Sequence, residues 1–103
     1  MNSIKNQIVL IGNIGNQPLV TNFENGGKVA RFSLATPYIK DGENKTEWHK
    51  LFAWGNMAQF IENFAKKGKK IVVTGKLVNR TYIAKGGYPQ KITEIEVRQV
   101  IGL

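Results

Sequence analysis

The densest chemistry in the chain lies in nine residues, Thr46-Glu47-Trp48-His49-Lys50-Leu51-Phe52-Ala53-Trp54. Alternate side chains of a β-strand point to opposite faces. One face of such a strand carries Trp48, Lys50, Phe52 and Trp54, and the other carries Glu47, His49, Leu51 and Ala53. Three aromatic rings with a cation among them suit a single-stranded nucleic acid, whose bases stack on flat apolar surfaces while its phosphates seek positive charge. The other reading is a strand buried on both sides, with Trp48 and Trp54 in the core. It would place Lys50 in apolar surroundings beside the rings, and for that reason the binding reading is preferred.

Other chemistries find little support. The 103 residues contain no cysteine and one histidine, which excludes disulfides, thiolate metal sites and multi-histidine metal sites. His49 lies on the face opposite the rings, where packing or a subunit contact suits it better than a catalytic role. Asp41, Glu43 and Glu47 lack the ligand spacing of a calcium or magnesium site. The short glycine runs Gly12-Asn13-Ile14-Gly15 and Gly86-Gly87 lack the spacing and the helix of a phosphate-binding loop. No enzyme, cofactor or metal is expected. The net charge of +8, from 15 Lys and Arg against 7 Asp and Glu, favours a polyanionic partner. A membrane surface is disfavoured because the one clear helix has no cationic face opposite its apolar stripe. No apolar run reaches a membrane span and Met1–Lys5 do not begin a signal peptide, so a cytoplasmic protein is expected.

The elements that would position these residues fit one domain, residues 1–103. Residues 4–14 read as a first strand, with the apolar run Ile8-Val9-Leu10-Ile11 buried on both faces and Gly12 at a bulge or bend. Residues 19–23 form a short extended piece before the turn Asn25-Gly26-Gly27. In 28–36, Ala30, Phe32 and Leu34 alternate with Val29, Arg31, Ser33 and Ala35. Residues 37–45 read as a polar, mobile surface loop. A helix follows the aromatic strand, with Met57, Phe60, Ile61, Phe64 and Ala65 as its core stripe. Asn56 is its expected N-cap, Gly68 lies beyond its end, and Lys66 and Lys67 sit in its last turn. Two more strands flank the turn 85–89. The first puts Lys76, Arg80 and Tyr82 on one face, and the second alternates Ile95 and Val97 with Glu94, Glu96 and Arg98. Five strands with a helix between the third and fourth is the order of an all-β OB-fold, a closed Greek-key barrel.

Several short motifs, in this order and spacing, resemble the bacterial single-stranded DNA-binding proteins over nearly the whole chain. They are Val9-Leu10-Ile11-Gly12-Asn13-Ile14-Gly15 with Pro18, Asn25-Gly26-Gly27, Phe32-Ser33-Leu34-Ala35-Thr36, Thr46-Glu47-Trp48-His49-Lys50, Lys67-Gly68 and Val73-Thr74-Gly75-Lys76-Leu77. The resemblance implies an OB barrel that binds single-stranded DNA with little sequence preference in replication, recombination and repair. It implies stacking on Trp48, on Trp54 (where the family commonly has phenylalanine) and on Tyr82, and phosphate contacts from Lys50, Lys67 and Arg80. Arg31, Phe52 and Lys76 complete the expected contact set. The resemblance further places His49, and with it Ile8 and Leu10, at subunit contacts of a homotetramer, with a homodimer as the second expectation.

The chain departs from that pattern in three places. Residues 37–45 lack the family's tryptophan, although Tyr38 is nearby, and Asn56 stands where lysine is common. No glycine-rich tail with an acidic, Phe-ending tip is present, so partners that dock on such a tip are not expected. A truncated chain, a phage or mobile-element version and a specialised paralogue all fit. A primosomal accessory protein of the same fold and a barrel that binds a protein partner are the alternative functions.

Overall fold

The alternation around Trp48 extends well beyond nine residues. In the computed structural model, which describes residues 6–103, the chain runs β1 (Ile8–Ile14), β2 (Leu19–Asn22), β3 (Lys28–Lys40), β4 (Glu43–Trp54), α1 (Gly55–Phe64), β5 (Lys70–Ile83) and β6 (Pro89–Gly102). Met1–Lys5, including the expected strand start at Ile4, lie outside the described residues.

The sheet order is β1-β5-β6-β4-β3-β2, and β1 also pairs with β3. That extra pairing, Asn13 with Ala35 and Ile14 with Leu34, closes β1, β5, β6, β4 and β3 into a five-stranded barrel. β2 takes the next stretch of the same β3 edge, with Leu19 opposite Arg31 and Asn22 opposite Lys28. β4 and β6 meet only briefly and in parallel, Leu51 beside Ile95 and Phe52 beside Glu96. This is the expected OB-fold, with its helix between the third and fourth barrel strands and β2 added at an edge. Gly12 marks the place where β1 passes from β5 to β3. A Cβ there would run into the backbone carbonyl of Ala35, so only glycine permits the approach. The register shift in the sheet falls instead on β5, between Thr74 and Gly75.

The inward residues of the alternating strands fill the barrel. Ile14, Leu34, Leu51, Ile71 and Val73 are fully buried, and Ile61 of α1 closes one end with Ala58 and Ala65. Lys28 of β3 holds the helix from outside, bonding Glu62 at 2.7 Å and also Gln59.

Four local expectations are corrected. Residues 37–45 are a continuous β-hairpin, paired from Thr36–Glu47 out to Lys40–Glu43. Its turn is Asp41-Gly42, with φ of 53° and 77°. Two successive positive φ values give the twist that suits a two-residue hairpin, and Asp-Gly is a preferred pair for it. α1 begins at Gly55 and ends at Phe64, with no side-chain cap, so Asn56 lies inside it and Lys66 and Lys67 lie beyond it. Phe60 is exposed and stacks on Phe64 (ring centroids 4.9 Å apart) instead of joining the core. β1 buries one face only: Ile8 and Leu10 pack towards the core, while Val9 and Ile11 are exposed.

Candidate nucleic-acid interface

β3 and β4 fix the outward face by their register. Val29 lies opposite Trp54, Arg31 opposite Phe52, Ser33 opposite Lys50 and Ala35 opposite Trp48. Leu51 and Ala53 occupy the inner face, at 1% and 0% exposure, so the parity of β4 is the one the sequence required. Trp48 is 62% exposed and Trp54 49% exposed, which rules out the reading that buried both in the core.

Each indole has a support. Trp48 lies on Gly15, close enough that a Cβ at that position would collide with its six-membered ring. Gly15 is held beside β3 by its own N–H, which donates to the Ser33 carbonyl at 2.9 Å. The Ser33 N–H in turn donates to the Asn16 side chain at 2.8 Å. Trp54 stacks against Phe23 (6.2 Å between centroids, planes at 29°) and meets the edge of Phe52 at 6.4 Å. A rigidly backed ring loses little freedom when a base stacks on its open side.

Phe52 differs from the two tryptophans. It is 3% exposed, so it is not an open stacking ring, and this corrects the expectation of three accessible rings. The guanidinium carbons of Arg31 and Arg80 lie 5.6 and 5.2 Å from its centroid, within cation–π range. Both arginines are bound by one carboxylate. Glu94 accepts from Arg31 Nη1 at 2.8 Å and from Arg80 Nε at 2.9 Å. Glu94 is 6% exposed, and a charge so buried requires such pairing.

The remaining expected residues are distributed around this centre. Lys50 is exposed between the two tryptophans. Lys76 and Arg80 share the outward face of β5, paired with Glu96 and Ile92, and Tyr82, 50% exposed, continues that face onto the β5–β6 arm opposite Gln90. Lys67 lies in the turn after α1. That turn is pinned to the end of β1, where the Gly68 N–H donates to the Ile14 carbonyl at 2.7 Å, one residue before the support of Trp48. His49 lies off this face. Its Nε2 is 2.9 Å from the Thr36 hydroxyl, and it lines a groove of about 400 Å³ with Ile8, Leu77, Ile92 and Ile95, where β4 and β6 part, a groove that Trp48 and Lys50 also border. Leu10 packs against the core.

Three contributors escaped the sequence reading. Gly15 and Phe23 are supports that act across strands, and no local pattern announces them. Glu94 gave only its outward parity on the last strand, because the arginines that neutralise it come from β3 and β5. Among the described residues, no three His, Cys, Asp or Glu side chains are grouped to hold a metal ion, and no helix is long and apolar enough to cross a membrane.

Comparison with known proteins places this geometry. The Single-strand binding protein family matches residues 5–103. The chain is 36% identical over 99 residues to the single-stranded DNA-binding protein of Bacteroides thetaiotaomicron, covering 89% of this chain and 62% of that protein. It therefore spans less than two thirds of that relative's length. A solved chain described as "Plasmodium falciparum SSB complex with ssDNA" superposes with a TM-score of 0.88 at 32% identity, covering 100% of this chain and 97% of that one. A barrel with two supported, outward-facing tryptophans, matched by the family along nearly all of its length, identifies the chain as a member of the Single-strand binding protein family.

Proposed function

We propose that this chain binds single-stranded DNA with little base preference, and so coats and protects it during replication, recombination and repair. The observation that carries the reading is the pair of backed, open indoles, Trp48 and Trp54, on either side of exposed Lys50 on a barrel with a net charge of +8. Every base has a π-face, so stacking on the indoles tolerates any sequence. Lys50, Lys67 and Lys76 serve the phosphates, and Tyr82 extends the contact along the β5–β6 arm. The reading is of a cytoplasmic binding protein, not an enzyme.

Assembly belongs to the same proposal. The homotetramer, with a dimer as the smaller possibility, draws support from the groove that holds His49 and Ile8 and from exposed Val9 and Ile11 on β1. Single-strand selectivity is tested by binding a labelled oligo-dT and competing with unlabelled duplex. The proposal expects the duplex to compete poorly and heterogeneous single strands to compete well. Equal competition by duplex would leave only a general polyanion binder.

A further inference from the structure

The cluster at Phe52 does more than add positive charge. Two arginines would normally offer two cations to phosphates. Here Glu94 cancels one of those charges and binds each guanidinium along an N–H edge, through Nη1 of Arg31 and Nε of Arg80. A guanidinium held by its edge leaves the flat face turned away from Phe52 free, and such a face stacks on bases much as an aromatic ring does. Both guanidiniums lie over the ring of Phe52, which is itself shut off at 3% exposure, yet their side chains are 42% and 40% exposed. Phe52 also touches Trp54 edge-on.

We infer that Glu94 is a positioning residue that clamps Arg31 and Arg80 above Phe52 so that their guanidinium planes continue the stacking platform beyond Trp54. This rests on the single-stranded DNA reading above. Bases, not phosphates, are then the principal ligands of these two arginines. The aromatic Phe52 acts from beneath, as the surface on which the guanidiniums lie.

Lysine separates stacking from charge, since it keeps the cation and lacks the plane. Arg31→Lys and Arg80→Lys should each weaken poly-dT binding several-fold in high salt, where phosphate attraction is screened. Their slope of log affinity against log salt should remain that of the wild type. Glu94→Gln, where it folds, removes the clamp and releases a charge. Its slope should steepen by up to about 0.7, the contribution of one phosphate on a single strand, while its high-salt affinity falls. Thermal melts confirm that the partly exposed lysine variants are folded.

The result that overturns the inference is wild-type high-salt affinity in both lysine variants. A wild-type protein that binds poly-dT while the lysine variants match it refutes the clamp alone. A wild-type protein that fails to bind poly-dT refutes the DNA reading itself.

Discussion

Gly15→Ala tests the platform without removing any ring. The new Cβ would collide with Trp48, and the nearest atoms it meets are all in that indole. Gly15 has no positive φ, so alanine brings no backbone strain and the ring alone must yield. Trp48 is 62% exposed, so a little over a third of its surface is covered. A tryptophan buries up to about 250 Å² at roughly 25 cal/mol per Å², so losing all of that cover costs at most about 2.5 kcal/mol. Alanine returns about 0.4–1 kcal/mol by restricting the unfolded chain. The net loss stays near or below 2 kcal/mol, inside the usual stability of roughly 5–15 kcal/mol, and the variant should fold. A displaced indole cannot present its face to a base, which should cost up to about 1–3 kcal/mol of binding, or roughly 5- to 150-fold at each occupied site. The assay is a double-mutant cycle with Trp48→Ala, read by poly-dT titration beside thermal melts. The two changes should not add, because the glycine acts only through the ring. Wild-type affinity in Gly15→Ala, or the same further loss in a Trp48→Ala background, would refute the reasoning.

Other substitutions probe the remaining parts. Trp54→Ala should weaken poly-dT binding by about 1–3 kcal/mol with little change in base preference. It should also lower the melting temperature, because Trp54 holds Phe23 and meets Phe52; normal binding in the variant would place the ring outside the site. Lys50→Ala should make the salt slope shallower by about 0.7, and an unchanged slope would show that Lys50 meets no phosphate. His49→Lys puts a flexible cation into the groove between β4 and β6 and should dissociate the proposed assembly while each subunit still contacts DNA. Sedimentation equilibrium reads that outcome, and an unchanged mass would count against it.

The outward face of β4 was legible because a period of two is a local property of the chain. Trp48, Lys50 and Trp54 could be placed from it, as could the inward Leu51 and Ala53. Phe52 shares that parity and is nonetheless closed, because its cover comes from Arg31, 21 residues earlier, and Arg80, 28 residues later, joined through Glu94. Burial decided across four strands leaves no trace in one strand's alternation. The 37–45 segment failed differently. Its polar composition read as a loop, yet Asp41-Gly42 already carried the hairpin signal, and a hairpin arm standing clear of the barrel has no apolar face to display. The helical stripe included Phe60 by spacing, but the barrel end is filled by Ala58, Ile61 and Ala65 and leaves Phe60 outside. In β1 the run of four apolar residues exceeded what one barrel face uses, which leaves Val9 and Ile11 exposed.

The most direct test of the central claim is the intrinsic tryptophan emission of the wild-type protein titrated with poly-dT. Trp48 and Trp54 are the only tryptophans in the chain, so the signal comes from the proposed platform alone. Stacked bases should quench that emission in a saturable way, and added salt should reverse it. Emission that stays constant while a separate probe reports bound DNA would contradict the account, because the strand would then be held elsewhere on the barrel.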